Sequence, residues 1–112
     1  MENQVIKLKM KDILLGTLSM KDGYYVFCGY PEGFSLARMQ TPIIPFVLNE
    51  YGKKSYNKLP YPFSKFLEQS SREDIQKYLH IEDDDTDFEK LIKYAKGNIE
   101  PEMFYITIWN NK

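Results

Sequence analysis

Long hydrophobic runs are missing from this 112-residue chain, as are basic excess and paired cysteines. No apolar stretch approaches the ~20 residues that span a bilayer. The first residues, Met1-Glu2-Asn3-Gln4, lack the positive, then apolar, start of a signal peptide. Cys28 is the one cysteine, so no internal disulfide can form, which suits a reducing compartment. A cytoplasmic location is therefore expected. Fifteen Lys and Arg stand against sixteen Asp and Glu, a formal charge of −1. Without a basic stripe in the sequence, direct nucleic-acid binding is not expected.

Histidine is nearly absent as well. His80 is the one histidine and sits where a helix is expected to end, a favourable place for a structural imidazole. With Cys28 as the one other soft ligand, zinc spacing is lacking, and Cys28, in a predicted strand, reads as a small buried hydrophobe. The run Glu82-Asp83-Asp84-Asp85-Thr86-Asp87 fails as a calcium loop. Counted from Asp83, its sixth position is Phe88 instead of Gly and its twelfth is Tyr94 instead of Glu. It fits better as acidic charge at the positive end of a helix. Phosphate-binding Gly-rich loops and kinase catalytic motifs are not found. Neither catalysis, cofactor nor metal is expected.

Aromatic residues are plentiful: nine Tyr, seven Phe and one Trp make 15% of the chain. Such residues fill half-buried strands and also anchor interfaces. The pattern predicts one α+β domain over 1–112, with a mainly antiparallel sheet and a cluster of about three short helices. Residues 5–10, 13–19 and 24–28 read as a three-stranded meander, with Asp22-Gly23 as a hairpin turn. Gly16 inside the second strand marks a bulge or a close backbone approach. Residues 34–40 fit a strand, a turn or one helical turn. Pro42 and Pro45 limit 43–48 to an edge strand or extended segment, and 50–62 reads as a loop of a length that is functional or mobile.

Three helices are expected next. Phe63, Phe66 and Leu67 follow Pro62 at helical spacing. Ser70 and Glu73 have capping-box spacing ahead of Ile75, Tyr78 and Leu79. Thr86 and Glu89 repeat it ahead of Phe88, Leu91, Ile92 and Ala95, with Gly97 as the stop. Residues 103–109 alternate as a last strand, Phe104, Ile106 and Ile108 on one side and Met103, Tyr105, Thr107 and Trp109 on the other.

The succession Leu15-Gly16-Thr17-Leu18, Tyr25-Val26-Phe27, Ile43-Ile44-Pro45-Phe46, Leu59 to Leu67 and Asp87-Phe88-Glu89-Lys90-Leu91-Ile92 resembles the N-terminal subdomain of HipA-type serine/threonine kinases. The chain departs from that family at Leu67-Glu68-Gln69-Ser70 and at Pro101-Glu102-Met103. The resemblance implies a stand-alone, HipS-like antitoxin of a split bacterial toxin–antitoxin system. Such a protein would neutralise a HipT-like kinase encoded beside a HipB-like helix-turn-helix repressor. Two other readings stand beside it. One is a non-inhibitory adaptor between kinase and repressor, the other an unrelated small ligand-binding α+β domain. As docking anchors the sequence offers Tyr56, Tyr61, Phe63 and Phe66, and Trp109 near the C-terminus.

Overall fold

The computed structural model describes residues 4–97 and 103–109. The departure at Pro101 and Glu102 lies outside them. Five strands form one antiparallel sheet: β1 (Ile6–Met10), β2 (Ile13–Lys21), β3 (Tyr24–Gly29), β4 (Gly52–Tyr56) and β5 (Phe104–Ile108). Their order is β4-β3-β2-β1-β5, so the last strand returns to flank the first. Four helices accompany the sheet: α1 (Pro31–Gln40), α2 (Phe63–Ser70), α3 (Glu73–Leu79) and α4 (Asp87–Lys96). The fold is thus α+β, as the pattern predicts.

Alternation sorts the side chains. Ile6, Leu8 and Met10 of β1 pair across the ladder with Ile108, Ile106 and Phe104 of β5, and together they face the core. At Gly16 both expected features occur. The β1–β2 register slips between Leu8 and Lys9, inserting Leu15 as a bulge. That extra residue lets Ile13, Leu15 and Leu18 all point inward despite their mixed parity. A side chain at Gly16 would also meet the Phe27 ring at 2.4 Å and the Cys28 carbonyl at 2.6 Å. Phe63 of α2 packs on Phe27 with ring centroids 5.9 Å apart. The inner stripe of α4 (Phe88, Leu91, Ile92 and Ala95) completes this layer.

Several local expectations change. Residues 31–40 form a full helix, because Pro31 occupies its first position, where no amide donor is missed, and Phe34 and Ala37 are buried. The helix stops at Thr41, held extended ahead of Pro42. Of the two readings of 43–48 the edge strand does not form; the fourth strand, β4, lies instead in the expected loop, at Gly52–Tyr56. Its Lys53-Lys54-Ser55 centre hides it from any apolar alternation, as suits an edge strand. Ser70 is not the cap of α3. It is buried at the end of α2, donating to the Leu67 carbonyl at 2.6 Å, and Arg72 takes the cap position. The box at Thr86 and Glu89 does form, with both reciprocal bonds in place. Gly97 ends α4 with an ordinary negative φ, and its lack of a side chain leaves room for Leu79. Cys28 is half-buried, on the outer face of β3.

Candidate functional site

The predicted anchors divide. Phe63 is fully buried and Phe66 nearly so, the latter against Tyr94 with centroids 6.0 Å apart. Neither offers surface to a partner: they pack the core, because the helical stripe that suggested them is the inner face of α2. Tyr56, on β4, is half-buried; its ring lies beneath the Lys54 ammonium at 5.4 Å, and its hydroxyl accepts the Asn49 amide at 3.4 Å. Tyr61 is about half exposed, and Trp109 is exposed beside Lys7, whose ammonium lies 5.7 Å from the ring centroid. The structure therefore does not gather these five residues into one site.

A different stretch exposes more apolar surface. Between α1 and β4 the chain makes an excursion that forms neither helix nor strand. Phe46 and Leu48 hold it to the core, Phe46 meeting Phe104 edge-on at 5.1 Å. Arg38 on α1 is ion-paired with Glu50, so the ends of the excursion are tied together. The Asn49 side chain donates from Nδ2 to the carbonyls of Tyr51 and Gly52, both at 3.0 Å, shaping the entry to β4. Alternation about Phe46 and Leu48 leaves Ile43 and Val47 outside, Val47 at 95% exposure. Leu36 and Met39 on the outer side of α1, and Tyr51 after it, are also exposed. Large apolar side chains set singly in solvent are ordinary; five within sixteen residues are a feature. Burying one of this size is worth roughly 1.5–3 kcal/mol.

A groove of about 450 Å³ lies between the β2–β3 hairpin and α4. Met20, Tyr25, Phe88 and Ile92 supply its apolar lining, while Asp85, Asp87, Glu89, Lys93 and Lys96 bring charge. Burial, and less strongly the charge of Asp87, push the Tyr25 hydroxyl above its ordinary pKa. Asp85 accepts from Lys93 Nζ at 2.7 Å and from the Glu82 amide at 2.9 Å, which holds its carboxyl below the usual range. The same hydrogen bond raises Lys93, which also donates to the His80 carbonyl. This clamp fastens the acidic loop after α3 to α4. His80 itself caps α3 in a left-handed conformation, a structural post. Among the described residues no group of three or more His, Cys, Asp or Glu is placed to hold a metal ion. No helix among them is long and apolar enough to cross a membrane.

Compared with family models, curated proteins and solved structures, the chain matches none. What can be read of its function comes from the surface itself and from the motif order in the sequence. The exposed run Leu36–Tyr51 escaped the sequence reading, because Ile43-Ile44 and Phe46-Val47-Leu48 look like core until the prolines and the alternation are placed in three dimensions.

Proposed function

We propose that this protein is a binding module, a HipS-like antitoxin that docks on a HipT-like serine/threonine kinase and neutralises it. The motif order supplies the family resemblance. The observation that carries a docking role is the solvent-exposed apolar run of Leu36, Met39, Ile43, Val47 and Tyr51, displayed by a segment fixed at both ends. A few apolar anchors with a polar surround suffice for most of an interface's affinity. Arg38, Gln40 and Glu50 provide such a surround. Tyr61 stays an anchor candidate by exposure.

The test is co-purification with a HipT-like kinase encoded alongside, followed by autophosphorylation of the complex. The triple variant Met39→Ser, Ile43→Ser, Val47→Ser changes exposed side chains alone. It should keep its circular dichroism and melting point while losing about tenfold or more in kinase affinity. Full binding by the triple variant would remove this run from the interface. A stable complex with undiminished kinase activity would favour the adaptor. Alanine at Phe63 cannot serve here, since it would open a cavity in the core.

A further inference from the structure

The near-neutral total charge conceals a strong asymmetry. None of the five strands contains an Asp or Glu, yet together they carry Lys7, Lys9, Lys21, Lys53 and Lys54. The register decides where these point. Lys7 stands opposite Thr17 and Thr107, Lys9 opposite Leu14 and Tyr105, Lys21 opposite Tyr24, and Lys53 opposite Cys28. All of these lie on the sheet face away from the core. Not one strand residue on that face is buried, so no helix covers it. Among the described residues no carboxylate pairs with Lys7, Lys9, Lys21 or Lys53. The basic stripe missing from the linear sequence is assembled by strand alternation, with the acidic residues among those described left to helices and loops.

Aromatic rings frame the stripe. Trp109 continues past β5, its amide bonded to the Val5 carbonyl at 2.9 Å. Tyr105 lies on the same face, its hydroxyl donating to the Lys11 carbonyl, and Tyr24 is half exposed at the far end of β3. Thr17, Ser19, Ser55 and Thr107 set hydroxyls among the lysines.

We propose that this face binds single-stranded nucleic acid, lysines on phosphates and exposed rings against unstacked bases. Three features favour that ligand over an acidic protein. All four cations are lysines, which are depleted in protein interfaces and serve phosphates well as point charges. Arginine, whose fork matches carboxylates, is absent from the strands. The surface is an open sheet with aromatic rings, on which splayed bases can stack. Such a face also fits single strands better than a duplex, whose grooves admit a helix or ribbon in preference to the flat of a sheet. This inference stands apart from kinase docking, because it uses none of residues 36–51.

Trp109 is the one tryptophan, so its fluorescence reports directly on this face. The full chain would be titrated with labelled oligo(U) and oligo(dT) of about 12 nucleotides, within the site sizes of such surfaces. Anisotropy and Trp109 quenching would be followed between about 50 and 200 mM salt. Binding should quench Trp109 and weaken with salt, with a log–log slope of about −2 to −3 for three or four phosphates neutralised. Lys7→Gln with Lys9→Gln should reduce that slope by about 1.4. Lys53→Gln, on the exposed edge strand, should reduce it by about 0.7. Trp109→Ala should weaken binding about fivefold or more at an unchanged slope. No binding at 50 mM salt overturns the proposal. So does equal binding of a duplex of the same length, or binding whose slope Lys53→Gln leaves unchanged. Full competition by poly-glutamate without Trp109 quenching would assign the face to an acidic protein instead.

Discussion

At the scale of single residues, the glycine inside α1 carries an argument that propensity alone would reverse. Alanine normally stabilises a helix interior by about 1 kcal/mol over glycine. Gly33, however, lies against β2, and a side chain there would come within 1.9 Å of the Leu14 carbonyl oxygen. Backbone cannot yield as a flexible side chain can. Gly33→Ala is therefore expected to destabilise the protein by roughly 1–3 kcal/mol through overpacking. Urea denaturation checks it, and a stabilised variant would show that α1 can shift off β2. By propensity alone Gly33 counts as a helix breaker, because Leu14, the β2 residue it touches, lies nineteen residues back in the chain. Phe63 and Phe66 mislead in the opposite direction. Their spacing reveals that one face of α2 is apolar, and it cannot say whether that face meets the core or a partner.

At the scale of elements, the clamp between the acidic loop and α4 makes stability depend on pH at both ends. Asp85 has its carboxyl lowered by the Lys93 hydrogen bond and the Glu82 amide. Its contribution is complete above the unfolded aspartate value of about 3.9 and fades as pH falls through the lowered folded value. Lys93, raised chiefly by the same bond, contributes fully below about 10.4 and loses that contribution as pH rises through its raised value. Asp85→Asn should therefore flatten the acid limb of a melting-temperature profile below about pH 4, with the alkaline limb reduced too as Lys93 loses its partner. An unchanged acid limb would mean that solvent screens the pair fully. The elements themselves differ in how openly the sequence declares them. The meander, α4 and β5 carry clean periodicity with turn or cap chemistry, and all were legible. β4 was not, since an edge strand of lysines and serine buries almost nothing. α1 was obscured because its buried face is small, set by Gly33, Phe34 and Ala37.

Across the whole molecule, the chain builds two unlike surfaces from separate materials. The excursion between α1 and β4 exposes apolar side chains and contributes one ion pair, Arg38 with Glu50. The outer sheet face exposes lysines, hydroxyls and rings drawn from all five strands, without a strand carboxylate. No residue belongs to both, so mutations in one should not alter the other, as additivity holds for distant sites without shared partners. The triple serine variant at Met39, Ile43 and Val47 is expected to bind oligo(U) within about 0.5 kcal/mol of the parent chain. The Lys7→Gln, Lys9→Gln variant should capture the proposed kinase partner equally unchanged. Reciprocal loss, each variant impairing both activities, would mean that the two surfaces form one site, and that the kinase or the nucleic acid spans it. Neither surface can be found from total charge or hydrophobic content. Sheet parity makes one of them, gathering lysines far apart in sequence, and Phe46 and Leu48 make the other by taking the core positions and turning Ile43 and Val47 outward.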